Sequence, residues 1–249
     1  MITLGSAIDF TLIPMATLVA SGAVALIRPA GPRLRSGVLH LAAGVVFAVV
    51  AMELLPSIIH SDALVVVTVG FTLGASLMLL LRHLVGGHDD PAGATESGSD
   101  PRLPVGMLVA IGIDLTVDGL MLGVGFAAGA RAGVVLTIAL SLEVVALGLA
   151  TAASLKEGGH AVGRVIGVLV GLSALFAVGA AVGGLALGYA PPELVPGVLA
   201  FACAALLFLV TEELLEEAHE VKESPALTMM FFVGFLALML LEMVGAAPH

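Results

Sequence analysis

A chain of 249 residues that is 59% hydrophobic and only 11% charged has too little polar surface to coat a water-soluble domain, since soluble chains average about 45–50% apolar and about 25% charged residues. The mean hydropathy of +1.16 points the same way. A formal net charge of −10, with nine scattered Lys and Arg, excludes a nucleic-acid partner, which requires clustered basic side chains.

Apolar runs near the roughly 20 residues needed to cross a hydrocarbon core occur eight times, at 8–27, 38–55, 63–81, 105–128, 133–154, 162–187, 194–211 and 227–244. The expectation is an all-α membrane protein, an eight-transmembrane-helix bundle that forms a single transmembrane domain over residues 1–249. No basic leader with a small-residue cleavage site precedes the first run, so the chain is read as mature from Met1.

In chain order, the first span carries Asp9 near its outer end, where a solvated carboxylate is expected. The second begins near His40, read as an interfacial polar group, and ends Met52-Glu53-Leu54-Leu55-Pro56 with His60 beyond. After the third comes the one long polar segment, 82–104, which contains His83 and His88. The fourth carries Asp114, Asp118 and Met121, and the fifth carries Glu143. The sixth has no acid but repeats glycine at helical spacing, at Gly163, Gly167 and Gly171 and then at Gly179 and Gly183. With Gly119 and Gly123 of the fourth span, these are expected to let helix backbones approach closely. The seventh, which contains the single cysteine, Cys203, ends Glu212-Glu213-Leu214-Leu215-Glu216 with His219 beyond. One thiol in an apolar run can form neither a disulfide framework nor a thiolate metal cluster, and it reads as a packing residue. The eighth carries Glu242 near its outer end.

Lys and Arg collect in cytoplasmic loops. The loops after the odd-numbered spans hold Arg28, Arg33, Arg35, Arg82, Arg102, Lys156, Arg164 and Lys222, whereas the other side holds only Arg131. This split predicts a multi-pass protein of the cell (inner) membrane with both termini outside and segment 82–104 in the cytoplasm.

An ionisable side chain near mid-bilayer costs about 2.5–3.5 kcal/mol on insertion scales, so Asp114, Asp118 and Glu143 are the first functional candidates. Asp114 and Asp118 are four residues apart, which puts them on one helix face, and Met121 continues that face. Two such carboxylates in a dry setting cannot both stay ionised without a cation. Apart from Arg164 at the very start of the sixth, no Lys or Arg falls inside a predicted span, so the pair must hold a proton or a metal. Glu143 from the next helix completes an oxygen-rich cluster of the kind that binds divalent ions.

The mirrored contexts of Glu53 and of Glu212 and Glu213 lie on spans that run in opposite directions. They suggest an inverted repeat of spans 1–3 and 6–8 around spans 4 and 5, a transporter signature with substrate bound at the repeat interface. Glu53, Glu212 and Glu213 are then expected to be way-stations on the path to and from the midplane.

Eight spans, outside termini, a histidine-containing loop after the third span and midplane acids on the fourth and fifth together resemble the ZIP family of divalent-metal transporters. Ala43-Gly44-Val45 with Glu53-Leu54-Leu55-Pro56 resembles that family's second helix, and Glu213-Leu214-Leu215 through Ala218-His219 its seventh. The stretch 228–242 resembles its eighth. On the fourth, Asp118-Gly119 matches the family's acid-glycine pair, while Asp114 replaces a histidine and Leu115 an asparagine. On the fifth, only Glu143 of the family's His-Glu-x-Pro pattern is kept. The resemblance implies transport of Zn, Mn or Fe by alternating access. These departures reduce the family's two-metal arrangement to one site of Asp114, Asp118 and Glu143, joined by Met121 or Met52. Expected partners are divalent metal ions and the lipid bilayer, with a homodimer left open.

An intramembrane aspartyl protease also pairs carboxylates on neighbouring helices, but its Gly-x-Gly-Asp signature is replaced here by Ile111 and Ile113. No Gly-x-Ser-x-Gly stretch supports a serine protease either, so the chain is read as a non-enzyme. A proton-coupled transporter of another family and a metal sensor are the remaining alternatives. The orientation is checked by labelling Ser97→Cys from outside intact cells: no reaction is expected, and ready labelling would reverse the assignment.

Overall fold

The computed structural model describes residues 4–28, 31–86, 105–222 and 224–245. Loop residues 87–104, including His88 and Ser97, and the side chains of Asp9 and Glu242 lie outside the described set. The described chain is helical, without strands: α1 (Leu4–Ile27), α2 (Pro32–Ile59), α3 (Leu64–Gly86), α4 (Val105–Ala128), α5 (Ala130–Glu157), α6 (Val162–Gly188), α7 (Pro192–Ala218) and α8 (Pro225–Gly245). Seven of these, α1 to α7, hold stretches long and apolar enough to cross a bilayer, and α8 holds a shorter apolar stretch, Pro225–Leu241. The chain is thus a multi-pass helical bundle. Its outward faces carry large apolar side chains such as Val24, Val65, Val178 and Phe232, which lipid rather than water would solvate.

Several helices outrun their hydropathic spans. Pro56 was expected to end the second span, yet α2 continues to Ile59. A π-helical segment, Val50–Leu54, immediately precedes that proline, and its widened turn accommodates a ring that would clash in a regular α-helix. The seventh span was expected to stop at Thr211, but α7 passes through a second π segment, Leu209–Leu214, and runs on to Ala218. Glu212 and Glu213 therefore lie inside a helix rather than at its end. The third span was expected to stop at Leu81, but α3 reaches Gly86 and so includes Arg82.

α4 packs along α6 and α1 along α5, while α2 packs on α8 and α3 on α7. Glycine makes the closest of these approaches possible. A Cβ on Gly119 or Gly123 would overlap the carbonyl oxygens of Phe176 or Ala180, and one on Gly179 or Gly183 would overlap those of Thr116 or Leu120. The expectation of close packing fails for Gly163, Gly167 and Gly171, where an added Cβ meets nothing within 4 Å. The spacing is identical, but these three glycines lie on the outward face of α6, while Val165 and Leu169 of the same turns are the residues buried against the bundle.

His40 departs from its interfacial reading, since α2 begins earlier than predicted and carries it into the core at 2% exposure. Its Nδ1 faces the Ser36 carbonyl at 2.9 Å, and its ring meets that of His219 edge-on with centroids 5.2 Å apart. Lys156 Nζ donates to the Leu26 carbonyl at 2.6 Å and caps the end of α1.

Contrasting substitutions test this packing. Gly179→Ala should destabilise the bundle by about 1–3 kcal/mol, the usual range for overpacking. Gly167→Ala should be neutral or stabilising, because alanine favours helix by about 0.5–1 kcal/mol where space is open. Thermal unfolding in detergent reads both, and equal effects would contradict the assigned contacts.

Candidate metal centre

The α4–α6 contact fixes the rotation of α4 and turns its acidic face inward. Asp118 is 1% and Glu143 4% exposed, while Asp114 is partly buried. One carboxylate oxygen from each of the three lies within 4.8 Å of the others, a spacing at which a single cation can bind all three. Spacing within α4 supplies two of these ligands, and the packing of α5 against α4 supplies the third.

A fourth carboxyl joins from α7, where Glu213 stands within reach of Asp114 in the wall of the same cavity. Carboxylates only accept hydrogen bonds, so a direct bond between these two would need a proton on one of them. Deeper in the cluster, Asp118 Oδ2 and Glu143 Oε2 are buried with no hydrogen-bond partner among the described residues. Buried polar atoms are almost always paired, so two orphaned acceptors in one cluster call for a cation or a proton.

The remaining sequence candidates have other surroundings. Glu212 pairs with Arg82 of α3 rather than with the cluster, and Glu53 pairs with Arg131 at 3.2 Å. Met121 is buried in the core at 1% exposure, three residues beyond Asp118, and Met52 sits half-buried in the first π segment. Neither π segment was foreseen from sequence, although acids followed by Leu-Leu-Pro or Leu-Leu-Glu mark both of them.

An open cavity of about 630 Å³ leads from the exposed end of α7 to Asp114. Its wall includes Ala110 and Val117 of α4, Met78 and Arg82 of α3, and a row of acids on α7 from Glu212 to Glu220. Asp114 thus stands at the boundary between a wet acidic vestibule and the dry pair Asp118 and Glu143. Chemically, the arrangement can exchange a proton for a metal ion and offers only hard oxygen donors.

Asp118→Asn or Glu143→Gln removes one charge-bearing group from this crowded volume. In metal-free detergent at mildly alkaline pH, either variant should raise the melting temperature by about 2–4 °C, the shift expected for 1 kcal/mol in a chain of this size. A lowered melting temperature for both would show that the acids are satisfied as they stand.

Compared with models of protein families and with curated protein sequences, the chain matches none.

Proposed function

We propose that this protein carries divalent metal ions across a membrane by alternating access, with Asp114, Asp118 and Glu143 as the midplane site. The observation that carries the proposal is the pair of buried, unpartnered carboxylate oxygens inside a three-acid cluster at the end of an acidic cavity. A merely structural cluster would be expected to satisfy those atoms with neighbouring donors.

Two further features support the reading. Under an inverted repeat that relates helices 1–3 to 6–8 and α4 to α5, the α4–α6 contact maps onto α5–α1, and α2–α8 onto α7–α3. The π segments of α2 and α7 fall at equivalent positions, each at a glutamate, and such segments recur at functional sites. This agrees with the ZIP-family resemblance, whose acid-glycine pair survives as Asp118-Gly119. Helix α8, at 21 residues, is long enough to serve as an eighth span. On this reading the Lys and Arg distribution turns the acidic vestibule toward the cytoplasm, with Glu213 as the way-station next to Asp114.

An all-carboxylate site suits Mn²⁺ and Fe²⁺ as well as Zn²⁺. Bound metal displaces the cluster's protons, so affinity should fall as pH falls: the ligands must be deprotonated to coordinate. Proteoliposome flux with Mn²⁺, Fe²⁺ and Zn²⁺, together with calorimetry across pH, tests the proposal. Asp118→Asn should weaken binding by at least about ten-fold, given that even supporting groups around metal ligands are worth about 10–100-fold. Asp114→His should shift preference toward Zn²⁺ by adding an imidazole. Metal affinity independent of pH, or an Asp118→Asn protein that binds as well as the parent, would refute the site.

A further inference from the structure

We propose that Arg82 is the resident counter-cation of the vestibule, and that a passing metal ion must displace its guanidinium from Glu212 and Glu216 to reach Asp114. This inference rests on the transport reading and adds to it a gating residue on α3.

Arg82 bridges two acids on one face of α7, pairing with Glu212 through Nη1 and with Glu216 Oε2 through Nη2 at 2.9 Å. All three residues line the cavity that ends at Asp114, and Arg82 is the one basic residue in its described wall. Glu213 lines the same cavity with these acids and Asp114. An ion that enters along the acids of α7 therefore meets the guanidinium before it meets the midplane site. Arginine suits this position because its planar fork can engage two carboxylates at once and never loses its charge. The bridge is also displaceable, because with a side-chain exposure of 45% on Arg82 it belongs to the weak class of half-exposed ion pairs.

The same device recurs beside the other π segment. Glu53 of α2 is held by Arg131 at the start of α5. Glu53 lies in the last turns of α2 and Arg131 in the first turn of α5, whereas Arg82 lies in the last turns of α3, which runs away from the end of α2, so the two pairs sit toward opposite ends of the bundle. Each end of the bundle thus has an arginine on a neighbouring helix that occupies the π-segment glutamate.

The test uses the full-length chain in proteoliposomes, with Ala110→Cys in the cavity wall as a reporter and the buried Cys203 left in place. Labelling by a cationic and by a neutral thiol reagent of similar size is compared with Mn²⁺ flux. Arg82→Gln should speed flux and labelling by both reagents about five-fold, the upper range for ion pairs of this class, whereas Arg82→Lys, which keeps the charge and loses the fork, should fall between Gln and the parent. Arg82→Met, which keeps the apolar stem, replaces Gln if that variant melts early. Unchanged labelling, or acceleration of the cationic reagent alone, would overturn the displacement model by showing that Arg82 acts only as a distant charge. A parent protein that carries no Mn²⁺ would overturn the transport reading, and the labelling comparison would still judge Arg82.

Discussion

The constraint on which this structure turns is the confinement of three carboxyl groups, one oxygen of each within 4.8 Å of the others, inside a helix bundle, with two of them fully buried. Charge in such a setting is tolerated only when a cation, a proton or a full set of hydrogen bonds accompanies it. Here the hydrogen-bond set is incomplete at Asp118 and Glu143. The rest of the architecture is what holds those groups in place. Reciprocal glycines on α4 and α6 bring two backbones into contact and fix the rotation of α4, which points Asp114 and Asp118 away from lipid. The packing of α5 against α4 then sets where Glu143 can reach.

The second theme is the use of π turns to redirect acids. In α7, two adjacent glutamates serve different partners: Glu212 faces Arg82 on α3, and Glu213 faces Asp114 on α4. Adjacent residues leave any helix about 100° apart, and the π segment over Leu209–Leu214 shifts the register at which this pair does so. The counterpart in α2 directs Glu53 to Arg131, while Pro56 follows in the next turn without breaking the helix. Local departures from α geometry are energetically unfavourable, and in both helices the departure coincides with a glutamate, with Pro56 as an added cause in α2.

A gradient of polarity follows from these placements. The vestibule is wet and rich in acids at the end of α7, Asp114 stands at its floor, and Asp118 and Glu143 lie behind it in the dry interior. A cation moving inward would exchange water for carboxylate oxygen in steps, and any proton held by the cluster would have to leave or move as it arrived. On the proposed transport reading, this stepwise exchange is the physical basis of coupling between metal and proton.

Much of this molecule is written locally in its sequence. Hydropathy located the helices, with the fourth matching at both ends, because lipid solvation acts on each segment independently. The spacing of Asp114 and Asp118 was equally legible, since residues four apart share a helix face in any α-helix. What sequence alone could not decide was every relation between helices. Gly119 and Gly163 begin identical small-residue patterns, yet only the first meets a neighbouring helix. His40 read as interfacial and is buried, because the true start of α2 lies upstream of its most apolar stretch. Arg82 counted only toward orientation and became the partner of Glu212 and Glu216. Glu213 seemed to end a helix and instead reaches Asp114. The reason is common to all four: apolar content fixes that a segment is a helix in lipid, whereas rotation, register and π distortion are set by which backbones can approach, and only the packed bundle decides that.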